Sequence, residues 1–404
     1  MAYPGTLDEV GFKDGVFRDA FGRLRVSEPL SLFDGKLLRG KEPLHWAEKL
    51  DNGATSAHQP NRASVLLTAG VDTAKAVRQT RRRMVYQPGK SFLHLITFVM
   101  GSAEVNIRRR VGFFDDKNGI FLEQTSSGVR FVVRSYVTGA AADTNFAAQG
   151  DWNGDKLDGN GESGITLDLA KAQILWIDME WLSVGRVRAG FVIDGQFILC
   201  HEFNHANNIT SAYMTNPNLP IRYEIEATGV PGGDGQMECI CCSVQSEGGY
   251  HPTGIGGSAD RGITPMITDE APRELIAIRI KPSHTAFSTI KVAFMDVISP
   301  TDAYGAWALV INPTGLTAGT WVSAGDNSCV EYNITRGNEP LNGHKLISGY
   351  FTREADGASL LADLDYWLGS NVAGEGDVIS LVVRRAVAGG NESWLGSLGW
   401  TESY

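Results

Sequence analysis

The sequence predicts an all-β protein, with an N-terminal extended arm, a jelly-roll β-sandwich and then a second β-rich domain. Three observations carry this. Short runs of β-branched and aromatic residues follow one another along most of the chain, each closing near Gly, Pro or Asn. No long helical period separates them, which points to antiparallel sheets rather than a parallel α/β sheet. Glycine is also abundant, at 47 of 404 residues against a usual ~7%, as many tight turns would require.

Residues 1–60 read as an anchoring arm, punctuated by Asp14-Gly15, Asp34-Gly35 and Asn52-Gly53. Leu24 and Val26 alternate with Arg23 and Arg25, the period of a half-buried strand. Pro29 removes a backbone donor and biases Glu28 away from helix. A lone strand cannot bury its own face. Phe21, Leu24, Arg25, Val26, Leu30 and Phe33 are therefore expected to dock on the same chain or on a neighbour.

Residues 61–246 are expected to form the sandwich. The strand-like runs are Arg83–Tyr86, Ser91–Met100, Val105–Phe114, Ile120–Gln124 and Val129–Tyr136. Phe191-Val192-Ile193 and Phe197-Ile198-Leu199, joined by Asp194-Gly195, read as a hairpin with a type I′ turn. Ala170–Gln173 reads as a helical turn. Residues 247–264 carry six glycines in 18 positions and read as a linker or surface loop. Residues 265–404 resume the β pattern in Leu275–Ile280, Ile290–Ile298, Trp307–Ile311 and Val378–Arg384.

Composition narrows the function classes. A hydrophobic content of 43% and a charged content of 20% describe a globular chain with material for real cores. A net charge of −10 argues against broad nucleic-acid binding. The N-terminus lacks a secretory pattern, and no apolar run reaches the ~18 residues of a membrane span. The chain is expected to be made in a cytosol with reduced thiols. On that reading the glycosylation-like triplets at Asn208, Asn333 and Asn391 are chance matches.

Several motifs suggest chemistry, each beside a plainer reading. His201-Glu202-Phe203-Asn204-His205 matches H-E-x-x-H, which binds zinc only on a helix. Here it follows a hairpin, so strand-end hydrogen bonding is the plainer reading; Glu224 is not singled out as a third ligand. Asp151, Asn153 and Asp155, with Asp158, cluster the hard oxygens calcium prefers, but Lys156 stands where an EF-hand needs Gly. The plainer reading is a solvated turn-rich loop, and no cofactor is expected. Cys239, Cys241 and Cys242 lack zinc-knuckle spacing and read as small buried hydrophobes. Arg78, Arg81, Arg82 and Arg83, and Arg108, Arg109 and Arg110, form positive clusters. They read as strand-edge charges or as contacts to an acidic partner or glycan. Trp152, in a Gly/Asp-rich loop, is the candidate for stacking on a sugar. Asp178 and Glu180, at i and i+2 on a strand, are the pair a glycosidase reading would use. There is no P-loop or G-x-S-x-G elbow.

Asp19-Ala20-Phe21-Gly22-Arg23-Leu24-Arg25-Val26-Ser27-Glu28-Pro29-Leu30-Ser31-Leu32-Phe33-Asp34-Gly35-Lys36 resembles the N-terminal signature of a family of tailed-bacteriophage virion structural proteins. A second block is similar as well. It runs from Gly164–Leu169 through Trp176–Trp181, Gly185–Arg188, Gly190–Gly195 and Cys200–Asn207 to Asn218–Glu224. The central region resembles a concanavalin- or laminin-G-like jelly roll, a scaffold that alone does not establish sugar binding. The resemblance implies a non-enzymatic virion component, assembled in host cytoplasm among other virion proteins. It would be a tail, baseplate or fibre protein docked through the arm, with host-surface glycans as a further contact. A homo-oligomer, with a trimer as the guess, suits the symmetric sites of a particle. A capsid-attached head fibre or decoration protein is one alternative. A carbohydrate-active depolymerase on the jelly roll is another, and a zinc protease the weakest.

Overall fold

The computed structural model describes residues 18–24, 28–251, 253–268, 270–301, 303–336, 340, 342–351 and 366–404. Two compact units divide them. One holds the described residues up to Pro43, with Glu48–Gln79 and Tyr86–His251; the other holds Leu44–Ala47, Thr80–Val85 and the described residues from 253 onward. The described residues form strands and turns, with two single-turn 3₁₀ segments and no α-helix.

The strands up to residue 246 are β1 (Leu30–Lys36), β2 (Trp46–Asp51), β3 (Thr55–Gln59), β4 (Ser64–Thr68), β5 (Lys75–Thr80), β6 (Phe92–Val99), β7 (Ile107–Phe114) and β8 (Gly119–Thr125). They continue with β9 (Gly128–Ser135), β10 (Ala142–Ala148), β11 (Gln173–Met179), β12 (Val187–Ile193), β13 (Gln196–Phe203), β14 (Ile221–Ala227) and β15 (Gln236–Ser246). They make two antiparallel sheets. The first runs β13-β12-β11-β6-β15-β4-β3, with β1 also on β15; the second runs β10-β9-β8-β7-β14-β5-β2.

Alternation dictates how the sheets stack. Phe92, His94, Ile96 and Phe98 of β6 are fully buried on one face. The His94 ring lies 4.1 Å from Phe113 of β7. The Tyr223 hydroxyl of β14 donates to the carbonyls of Thr97 (3.2 Å) and Cys241 (3.3 Å) across the sandwich. The predicted hairpin forms between β12 and β13. Asp194 (φ 51°) and Gly195 (φ 76°) both take the left-handed backbone a type I′ turn needs.

Four sequence expectations change. The arm is not a separate region, because β1, β2 and β3 are members of the two sheets. The 247–264 stretch is not simply a linker, because β16 (Gly254–Asp260) lies within it and pairs along β26 (Glu392–Ser403). Arg83–Tyr86 forms no strand, and the segment near Ala170 is a turn rather than a helix.

Between β16 and β26 the second unit carries β17 (Met266–Thr268), β18 (Arg273–Ile280), β19 (Thr289–Ile298), β20 (Gly305–Ile311), β21 (Val322–Ser323), β22 (Val330–Asn333), β23 (His344–Phe351), β24 (Trp367–Leu368) and β25 (Val378–Arg385). One sheet runs β16-β26-β19-β24 with β17 on β26; the other runs β21-β22-β18-β25-β20-β23. Leu275, Ile278, Leu309, Leu381, Trp394 and Trp400 belong to a buried core of this unit.

Candidate functional site

The first site assembles where the start of the described chain meets β11 and β12. Asp19 accepts the backbone N–H of Phe21 (3.0 Å) and of Arg23 (2.9 Å), and its other oxygen takes the Arg23 Nε–H (2.7 Å). Gly22 supplies the positive φ, and Arg18 bridges Leu24. The sequence Asp-Ala-Phe-Gly-Arg therefore ties itself into a closed turn.

That turn is clamped from below. Asp178 of β11 and Arg188 of β12 sit directly opposite in the sheet and form a fully buried ion pair (2.6 Å). The Ser91 hydroxyl donates to Asp178 and accepts the Ala20 N–H (3.4 Å). Arg188 donates to the Arg18 carbonyl, and Arg186 Nε–H donates to the Ala20 carbonyl (3.0 Å). Two guanidinium groups thus satisfy backbone oxygens that docking takes out of water.

The arm's apolar anchors differ from those expected. Ala20, Leu32 and Leu37 are buried, whereas Leu24 and Leu30 are exposed and Phe21 and Phe33 only half-buried. Within β1, a bulge between Ser31 and Phe33 resets which side chains face inward. Arg25 and Val26 lie outside the described residues. β1 pairs with β15 of its own chain, so the arm no longer requires a second subunit.

Beside the clamp lies a cleft of about 470 Å³, lined in part by Phe21, Glu180, Arg186 and His205. A second cleft, of about 500 Å³, shares Asn204 and His205 with it and is lined also by Asn145, Glu202 and Tyr213. His205 stacks on Tyr213 at 4.1 Å and hydrogen-bonds the Gly185 carbonyl through Nδ1 (2.6 Å). Glu180 packs over Gly185, where a Cβ would lie 2.3 Å from the Glu180 side chain and push it aside. Burial raises the Glu180 carboxyl to about 7; Arg186 opposes this, and Asp19 and Asp178 add to it. Asp178, its expected partner, is fully buried and committed to Arg188 and Ser91.

The H-E-x-x-H string is not a zinc helix. His201 and Glu202 lie near the end of strand β13, and His201 Nδ1 accepts the Asn153 N–H (3.2 Å). Glu202 instead pairs with Arg186 (3.1 Å). Among the described residues no three His, Cys, Asp or Glu side chains could hold a metal ion.

The acidic loop is likewise built for structure. Asn153 mimics a strand, exchanging hydrogen bonds with the backbone of Glu202 (2.9 and 3.0 Å). Burial opposes the Asp155 charge, but the N–H groups of Ser163 and Leu157 outweigh it and hold the carboxyl below its usual range. Asp151 ends a 3₁₀ turn just before Trp152. Trp152 is no stacking platform. It is 2% exposed, lies 4.8 Å from Phe131, and donates its indole N–H to the Ala147 carbonyl (3.2 Å).

The arginine clusters make no free positive patch. Arg78 is buried against Glu48 (2.5 Å). In the second unit, Arg81 pairs with Asp377 (2.7 Å), Arg82 lies over Trp367 (4.4 Å) and Arg83 is buried. Arg108 meets Glu226 (2.5 Å), and Arg109 is buried with Glu104, Gln124 and two carbonyls. Arg110 anchors a row that crosses five strands of the second sheet with alternating charge: Arg130, Glu123, Arg110, Glu224 and Lys75. Burial opposes the charge on Glu224, yet Arg222, Lys75 and Arg110 together hold its carboxyl near 2.

Sequence reasoning missed Ser91, Arg186 and Arg188. The hairpin register alone could not supply them: continuing the Asp194-Gly195 pairing inward sets Arg188 on β12 against Glu202 on β13, whereas Asp178 meets Arg188 through the separate pairing of β11 with β12. Cys239 and Cys242 are buried as expected, but Cys241 is exposed.

No known family profile matches the chain, and no curated protein matches it. Solved structures similar to it include a legume lectin-like domain from Entamoeba histolytica, at 8% identity and TM-score 0.33, covering 54% of this chain and 98% of that one. A protein of unknown function with a galectin-like fold from Bacillus subtilis is 9% identical at TM-score 0.35, covering 55% and 99%. A glycosyl hydrolase family protein from Mycobacterium fortuitum is 8% identical at TM-score 0.37, covering 53% and 99%.

Proposed function

We propose that this chain is a non-enzymatic structural component of a tailed-phage virion, a tail, baseplate or fibre protein that also contacts host-surface glycans. The observation that supports it most is that the two sequence blocks resembling that family meet in space. Arg186 and Arg188 of the second block hold the backbone of the first, with Asp178 beneath them. Residues more than 150 positions apart, one from each block, are thus joined in one structural device. Of the carboxylates considered for chemistry, Asp178, Glu202 and Glu224 are engaged in ion pairs within the fold. The two clefts flanking His205 offer amide and hydroxyl groups to a glycan. Because β1 docks on its own chain, a trimer would follow from the symmetry of the particle and not from the arm.

The test is quantitative mass spectrometry of density-banded particles. A fixed copy number per particle, retained through high-salt washing, supports the proposal; absence from the banded particles removes it.

One observation favours the depolymerase reading: a Glu180 carboxyl near 7 suits a general acid. On that reading purified protein shortens polysaccharide chains and Glu180→Gln stops it. Chains left intact by the unaltered protein remove it.

A further inference from the structure

The second unit carries a groove of its own. It lies on the outward face of β20, β23 and β25. Along β20, Leu309 and Ile311 point into the core, so Ala306, Ala308 and Val310 point away from it. The register places Val382 beside Ala308, and Ala308, Val310 and Val382 form a small apolar cluster of their own. The middle strand therefore offers a shallow floor of small side chains.

Taller groups rise from the strands on either side. Tyr350 stands opposite Ala306 on β23 and is 76% exposed. Lys345, opposite Val310, and Arg384, opposite Ala306 on β25, are both exposed. The result is a groove of about 330 Å³, with the Asn342 amide at its lining. That is the lower end of the ~300–1,000 Å³ usual for small-ligand sites.

Its charge is unbalanced. Among the described residues neither Lys345 nor Arg384 has an ion-pair partner, in a chain whose net charge is −10. The buried carboxylate on the adjoining strand, Glu274, is already taken by Arg336 (2.7 Å) and the Ser380 hydroxyl (2.5 Å). A rigid aromatic ring, a flat apolar floor, an amide and two cations suit a ring-shaped ligand with one apolar face and a carboxylate.

We propose that this groove binds an acidic saccharide, with a sugar ring against Tyr350 and its carboxylate between Lys345 and Arg384. This gives a site and a ligand class to the glycan contact proposed above. It does not depend on where the protein sits, so a failure of the particle experiment and a failure here are separate results.

The probe is a galacturonic acid tetramer, titrated into the full chain by calorimetry. A neutral galactose tetramer and a glutamate tetrapeptide serve as controls. Saturable binding of the acidic sugar is expected, with little binding of either control. Arg384→Gln and Tyr350→Ala are each expected to weaken it about tenfold or more. Both side chains are exposed, so unchanged thermal melting will show that the variants fold. No saturable binding at millimolar sugar overturns the proposal, as does binding that both variants leave intact. Equal binding of the glutamate peptide overturns the saccharide as occupant.

Discussion

Replacing Arg188 by Ala should both destabilise the first unit and release the arm. The Asp178–Arg188 pair is fully buried, and Arg188 also donates to the Arg18 carbonyl. Removing the guanidinium takes the ion-pair partner away from a fully buried carboxylate. Breaking a buried pair in this way costs about 3–5 kcal/mol. The change is read as the loss in the urea transition of the first unit, followed separately because a chain of two units need not unfold in one step. Trypsin supplies the local readout. Arg23 is exposed, and its peptide bond is protected by the closed Asp19 turn. Cleavage there should accelerate in the variant at a urea concentration where the unit is still folded. Replacing both partners, Asp178→Leu with Arg188→Met, should recover much of the stability because no charge is left unpaired, while arm cleavage stays fast. A loss under ~1 kcal/mol, with unchanged cleavage at Arg23, would refute the clamp.

Other outcomes are expected from the same geometry. Trp152→Ala should cost about 3–5 kcal/mol by urea melting, as for a large buried aromatic, and leave glycan binding unchanged; a stability-neutral variant with lost binding would contradict its interior role. Glu180 titrates near 7 in the folded chain, above its unfolded value of about 4.3. The folded state therefore holds the extra proton between those values, and stability should fall as pH rises through that window. Glu180→Gln should flatten this fall, and identical melting profiles for the two proteins would count against it. Glu224 and His94 act oppositely, since their folded values of about 2 and about 4 lie below their unfolded ones. Their contributions are present near neutrality and are lost as pH falls, through about 6.5 to 4 for His94 and about 4.3 to 2 for Glu224. In the Glu180→Gln protein, where the opposing contribution is gone, melting temperatures that did not drop between about pH 6.5 and pH 2 would exclude both. Finally, Cys241 should be alkylated first of the five thiols in the native protein, which peptide mapping after a short iodoacetamide pulse will show.

Much of the fold was legible because strand alternation and turn chemistry are local. The Asp194-Gly195 hairpin and most of the strands in both units were found from their own residues. The arm was not fully legible. Its pattern correctly asked for something to dock on, but the bulge after Ser31 exchanged the buried set within β1, and no local rule announces a bulge. The glycine-rich stretch misled because β16 is an edge strand whose partner lies near the far end of the chain. The site fared worse for an electrostatic reason. A run such as Arg108-Arg109-Arg110 looks like a patch in one dimension, while cross-strand neighbours decide whether each charge is free. Glu123, Glu224 and Glu226 come from strands that a linear reading cannot set beside them. Trp152 was misjudged likewise, since loop composition suggested exposure while Phe131 and Phe191 enclose it.

The most direct test of the account is immunogold labelling of intact phage particles, with an antibody raised against this chain and viewed by electron microscopy. Label at the tail end or its fibres is the result expected. Label over the head would replace that placement with a capsid-attached fibre or decoration protein. Unlabelled particles, beside a positive signal from the free protein, would contradict the virion reading altogether.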